Sequence, residues 1–115
     1  MDRLEAVIQE LRSFVAERDW EQFHDPKNLA MAVASEVSEL LAEYRWVTNG
    51  EADSYSKGEA ERIRIAAEAA DVGIGLLLFC DRVGIDLVDA MKEKIALNRQ
   101  NYPIEQSRGR PGRPE

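Results

Sequence analysis

Apolar residues recur along this chain at steps of three and four. Leu4, Val7, Ile8, Leu11, Phe14 and Val15 fall on one stripe, which predicts a first helix ending near Arg18. Residues 19–25 break the period, and Asp25-Pro26 then supplies an N-cap followed by proline at the first helical position. A second helix is predicted from there to about Trp46, with Leu29, Val33, Val37, Leu40, Leu41 and Tyr44 on its apolar face. The stretch from Thr48 to Gly58 is polar, rich in turn formers and without helical period, so it reads as a loop. From Glu59 the pattern resumes and becomes nearly all apolar between Ala66 and Cys80, as expected of a central helix buried around most of its circumference, with Gly84 placed to cap it. Asp86 can cap a fourth helix carrying Leu87, Val88, Met91, Ile95 and Leu97, which should stop before Pro103 because the residue preceding proline disfavours helical geometry. Ser107 to Glu115 is dense in glycine and proline and is expected to lack fixed secondary structure.

With 115 residues, 44% of them hydrophobic, the chain can bury the core of one compact domain. The predicted fold is all-α, a four-helix bundle with a face left for self-association, over residues 1–105, followed by a flexible tail over 106–115. No internal repeat appears and no strand is needed. The lone cysteine, Cys80, lies inside an apolar run and reads as a buried, unreactive thiol. The N-terminus opens directly on an amphipathic pattern without the apolar segment of a signal peptide, and the longest apolar run, Val72 to Cys80, is far shorter than a membrane span of roughly 20 residues. A cytoplasmic protein without a membrane partner is the expectation. The formal net charge of −7 repels phosphate-rich partners in general, so an anionic ligand must be received where the local charge is inverted, as by a bound divalent cation.

Two pairs of acids carry the candidate chemistry. Glu36 and Glu39 stand three apart on the second predicted helix, as do Glu68 and Asp71 on the third, so each pair projects from one helix face. Both pairs sit beside apolar positions, Val33, Val37, Leu40 and Leu41 for the first and Ala67, Ala70, Val72 and Ile74 for the second, which limits their access to water. If the helices are neighbours, like charges about 4 Å apart repel by roughly 4 kcal/mol per pair at an effective dielectric of about 20. Mg²⁺ relieves this, because it prefers oxygen ligands, retains waters and bridges carboxylates to substrate phosphates. The plain alternative is ordinary surface charge paired with lysine and arginine; two such pairs on adjacent helices weaken it. A di-iron carboxylate bundle needs Glu-x-x-His on two helices, and the sole histidine, His24, falls in a loop.

Glu36-Val37-Ser38-Glu39, 28 intervening residues, and Glu68-Ala69-Ala70-Asp71 resemble the ExxE and ExxD metal signature of the MazG-like, all-alpha nucleotide pyrophosphohydrolases. Three further segments are similar to the dCTP pyrophosphatase branch of that family: Arg18 to His24, Lys94 with Asn98 and Tyr102-Pro103, and Ser107-Arg108-Gly109. The resemblance runs from about residue 4 to 109. It implies a four-helix MazG-like fold and hydrolysis of a nucleoside triphosphate to the monophosphate and pyrophosphate. Glu36, Glu39, Glu68 and Asp71 would hold Mg²⁺, which grips the triphosphate and helps to activate water. Lys94, Asn98 and Tyr102 would contact phosphate oxygens. Trp20 and Trp46 would stack on or wall in the base, with His24 nearby. Relatives carry an aromatic residue four positions after the motif aspartate, where this chain has Gly75, so a wider base pocket is expected, with dCTP preferred and leakage to other triphosphates.

Each assignment has a plainer competitor: Trp20 and Trp46 as edges of the core, His24 as a loop or capping residue, Lys94 as a solvated partner of Glu93 or Glu105, and Tyr102 as an anchor for the chain end. Sibling substrates within the same metal logic are dUTP, phosphoribosyl-ATP or nucleoside triphosphates at large. Two readings belong to other classes. Arg108-Gly109-Arg110-Pro111-Gly112-Arg113-Pro114 resembles a minor-groove hook, but an acidic body with so short a basic tail neutralises few phosphates, and nucleic acid is not the expected partner. A non-enzymatic helical interaction module would use the same apolar stripes for assembly alone. Relatives assemble as dimers or tetramers, and a homotetramer is the favoured expectation here, with a dimer as the alternative.

Overall fold

The computed structural model describes residues 2–112, and every regular element among them is helical. They form two compact units, one ending at Gly84 and one beginning at Ile85. The first holds α1 (Arg3–Glu17), α2 (Pro26–Ala42), α3 (Ala52–Ser56) and α4 (Glu59–Val83); the second holds α5 (Leu87–Asn101) and α6 (Ile104–Ser107). The four long helices are those the apolar period predicts. No described helix is long and apolar enough to cross a membrane.

Helix boundaries follow local chemistry. Asp2, Asp25 and Asp86 accept hydrogen bonds from the backbone N–H three residues on, at 2.8, 2.9 and 3.0 Å, and Pro26 occupies the first turn of α2, where its missing N–H costs nothing. Truncating the middle cap, Asp25→Ala, is expected to cost about 1 kcal/mol, read as a lower urea midpoint with an unchanged slope. Gly84 ends α4 at φ 75°, with its N–H returned to the Cys80 carbonyl. At the end of α1 that left-handed place is taken by Asp19 at φ 54°: its N–H reaches the Ala16 carbonyl and the Trp20 N–H reaches that of Val15, so the chain reverses and presents Trp20.

Three expectations about where elements begin and end are corrected. The second helix was expected to run to Trp46, but α-geometry stops at Ala42 and the chain continues in tight turns, with the N–H groups of Glu43, Tyr44, Arg45 and Val47 reaching carbonyls three residues back. The segment 48–58 is not a loop: a 3₁₀ turn at Asn49–Glu51 leads into α3, whose Ser56 and Tyr55 hydroxyls bond Tyr44 and Glu43, contacts no local pattern announces. The stretch expected to lack secondary structure from Ser107 loses that residue, since α6 includes Ser107; of the basic hook, Arg113 and Pro114 lie outside the described residues.

Packing within the first unit is dominated by α2 against α4, with α1 also on α4. Arg12 on α1 forks onto Asp81 on α4, its Nε donating to Oδ2 at 3.1 Å while Nη2 reaches Oδ1, and this bond with its charge holds the Asp81 carboxyl below its ordinary value. Val15, Leu29 and Cys80 are buried, and burial pushes the Cys80 thiol up, as expected of an inert core cysteine. The expectation that α4 is buried around most of its circumference does not hold within one chain. Ile63 is 68% exposed, and on α2 Leu41 is 69% exposed and Val37 also exposed, because the neighbouring helices cover only part of each apolar surface.

Candidate metal centre

Two rows of charge face each other between α2 and α4. On α2 and its C-cap, Glu36, Glu39 and Glu43 follow at steps of three and four; on α4, Arg64, Glu68 and Asp71 are spaced by four and three, so each trio occupies one face. The helices run antiparallel. Where Val33 of α2 meets Gly75 of α4, Glu36 meets Glu68 and Asp71, and Glu43 at the C-terminal end of α2 meets Arg64.

Glu36, Glu68 and Asp71 each offer a carboxylate oxygen, and these oxygens lie within 4.8 Å of one another. Glu36 and Glu68 are half-buried and Asp71 is exposed. Glu39, exposed, stands outside this trio, but it lines a cavity with Glu68 and its charge acts on that residue. The Glu68 carboxyl is pushed above its ordinary value, first by burial and then by the charges of Glu39, Asp71, Glu36 and Glu43. Among the described residues no ion pair involves any of the four acids. Converging oxygen donors with unbalanced negative charge fit a hard divalent cation of the Mg²⁺ type.

Two cavities separate the aromatic residues singled out in the sequence. One, of about 460 Å³, is lined by Glu39, Glu43, Trp46, Tyr55 and Glu68, so Trp46 lies beside the acids; the residue is 88% exposed. The other, of about 400 Å³, is apolar and walled by Leu11, Phe14, Trp20, His24, Ile74 and Leu78. Trp20 packs edge-on against Phe14 at 5.6 Å, and His24 is half-buried. In the second unit, Lys94 and Asn98 lie one turn apart on α5, and the N–H of Tyr102 caps that helix by donating to the Asn98 carbonyl at 2.8 Å.

No protein-family model matches the chain. Curated relatives do. The chain is 38% identical over 109 residues to dCTP pyrophosphatase 1 of Rattus norvegicus, covering 91% of this chain and 64% of that protein, and 38% identical over 108 residues to dCTP pyrophosphatase 1 of Homo sapiens, covering 90% and 64%. It thus spans about 64% of the length of these curated relatives. Its structure superposes on a pyrophosphatase from Archaeoglobus fulgidus with a TM-score of 0.84 at 35% identity, over 90% of this chain and 94% of that one. The chain belongs to the MazG-like all-alpha nucleoside triphosphate pyrophosphohydrolases.

Within this MazG-like scaffold, sequence reasoning overlooked three residues. Glu43 is a third acid on the α2 row, its carboxylate accepting from Arg64 Nε and from the Tyr55 hydroxyl, both at 3.3 Å. The signal was present as Glu43 four residues after Glu39 and Arg64 four before Glu68, but it carries meaning only once the helices are aligned. Gly75 also takes on a different role: a Cβ there would come 3.2 Å from Val33 Cγ2, so this glycine lets α2 and α4 approach closely. The apolar cavity is lined by its neighbours Ile74 and Leu78.

Proposed function

We propose that this chain hydrolyses nucleoside triphosphates, dCTP preferred, to the monophosphate and pyrophosphate, with Mg²⁺ held by Glu36, Glu39, Glu68 and Asp71. The observation that carries the reading is the convergence of Glu36, Glu68 and Asp71 within 4.8 Å with no ion pair among the described residues to offset their charge. The names of the curated relatives, dCTP pyrophosphatase 1, support the reaction and the base.

Bound there, the cation supplies a Lewis acid for the phosphate oxygens and lowers the proton affinity of water. The carboxylates hold that charge in place, and the half-buried setting of Glu36 and Glu68 strengthens the field at the phosphates. Lys94, Asn98 and Tyr102 offer an ammonium, an amide and a phenol as donors to phosphate oxygens. Trp20 and His24 wall the apolar cavity as the base or sugar pocket, and Trp46 presents its indole beside the acids for stacking. Residues 1–105 act as the functional domain and 106–115 as a tail, in a cytoplasmic setting.

The active form is a homo-oligomer, a tetramer favoured over a dimer. Supporting this, Met31, Leu41, Trp46 and Ile63 leave more than half of their surface exposed in the single chain. Sedimentation equilibrium reads the stoichiometry directly, and a monomer at micromolar concentration would refute it.

The deciding experiment is a panel of the common deoxynucleoside and ribonucleoside triphosphates with Mg²⁺ and with chelator, scoring pyrophosphate. The expected result is metal-dependent pyrophosphate release, fastest with dCTP. Equal rates across the panel would remove the base preference, and no release with any nucleotide would remove the activity.

A further inference from the structure

Along the antiparallel α2–α4 seam, two of the facing levels are acid against acid, Glu36 with Asp71 and Glu39 with Glu68, and the next is not: there Glu43 meets Arg64. Glu43 continues the row that holds Glu36 and Glu39, and its charge is felt at Glu68. Left free, it would be one more carboxylate competing for the same cation. Instead its side chain is only 16% exposed, with one oxygen engaged by the Arg64 guanidinium and the Tyr55 hydroxyl. Tyr55 packs edge-on against Tyr44 at 5.6 Å, and Tyr44 bonds Ser56 at 2.6 Å, so α3 is fastened over this end of the seam.

Resting on the metal-centre reading above, we infer that Glu43 and Arg64 are positioning residues that close the acid row. Arg64 and Tyr55 retain Glu43 as a non-ligand, which confines the cation to the four carboxylates beyond it. The same contacts fix Tyr55 as a wall of the cavity it shares with Glu39 and Glu68. The pair is electrically neutral as a unit, so its contribution to the centre is geometry; breaking it from either side exposes a charge of known sign.

The test is Mn²⁺ binding by the nucleotide-free full chain, followed by electron paramagnetic resonance of the free ion. Arg64→Met leaves Glu43 uncompensated and should tighten Mn²⁺ by about threefold to tenfold, the size expected of one added charge a few ångströms from a partly screened site. Glu43→Gln keeps an acceptor for Tyr55 but leaves Arg64 uncompensated, and should weaken Mn²⁺ by a similar factor. The double variant should return to within about twofold of the parent, and Arg64→Lys should follow the parent, since both preserve the charge balance. A purely structural role would move both single variants the same way; that outcome, or no shift in either, overturns the inference. Should Arg64→Met fail to fold by circular dichroism, Glu43→Gln against the double variant carries the same comparison. Failure of the parent chain to bind Mn²⁺ overturns the metal-centre reading itself, and is distinct from binding that the variants leave unmoved.

Discussion

Replacing Glu68 by glutamine is expected to reduce pyrophosphate release by at least about 10³-fold while making the metal-free chain more stable at neutral pH. Glu68 sits where the other acids converge, and burial together with Glu39, Asp71 and Glu36 raises its proton affinity in the folded state. A carboxyl whose folded value is raised holds its proton more tightly in the native chain than in the unfolded one. Below the ordinary value of 4.5 both states are protonated and no penalty exists; as pH rises through the interval above it, the native state alone keeps the proton, and its stability falls. The glutamine variant never ionises. Its melting temperature should therefore match the parent's in acid and exceed it at neutral pH, with the gap opening just above the ordinary carboxylate range. Mg²⁺ should close the gap by raising the parent more than the variant. An ordinary catalytic loss would leave stability unchanged, and a structural role would lower it; a less stable variant at neutral pH would contradict the repulsion described here.

The second large effect is expected from Gly75→Leu. A Cβ at this position already meets Val33 Cγ2 at 3.2 Å, so a branched side chain forces α2 away from α4. Overpacking of this kind costs roughly 1–3 kcal/mol, and the urea midpoint should fall accordingly. The same displacement separates Glu36 from Glu68 and Asp71, which are carried by the same two helices, so Mg²⁺ affinity should fall with it. Gly75→Ala should do less, because Val33 has only a few tenths of an ångström to yield. If Gly75→Leu is as stable as the parent, the close approach at this position is not a constraint on the seam.

The identities of the four long helices were legible in the sequence, and particular residues show why. Asp25-Pro26, Gly84 and Asp86 act on backbone groups within four residues of themselves, so a local pattern suffices to place them. Cys80 inside an apolar run was equally readable. The segment 48–58 was not, because α3 is held by Tyr44 and Glu43, which lie twelve residues away from their partners. The expectation for α4 failed for a related reason: a helix apolar around most of its circumference announces how much surface wants covering, but not which molecule covers it.

At the candidate site, spacing alone put Glu36 with Glu39 and Glu68 with Asp71 on shared faces, and the resemblance supplied the metal and nucleotide roles. The sequence by itself thus determined that the four long helices form, that α2 and α5 begin at Asp25 and Asp86 and α4 ends at Gly84, and which acids share a face, because those outcomes depend on neighbours three or four residues apart. Only the tertiary structure decided that Glu36, Glu68 and Asp71 converge with Glu39 beside them, that Glu43 is turned to Arg64 and Tyr55, and that Gly75 serves the helix contact. Those outcomes depend on the antiparallel alignment of α2 and α4, and alignment is set by side-chain packing between segments that no local period relates.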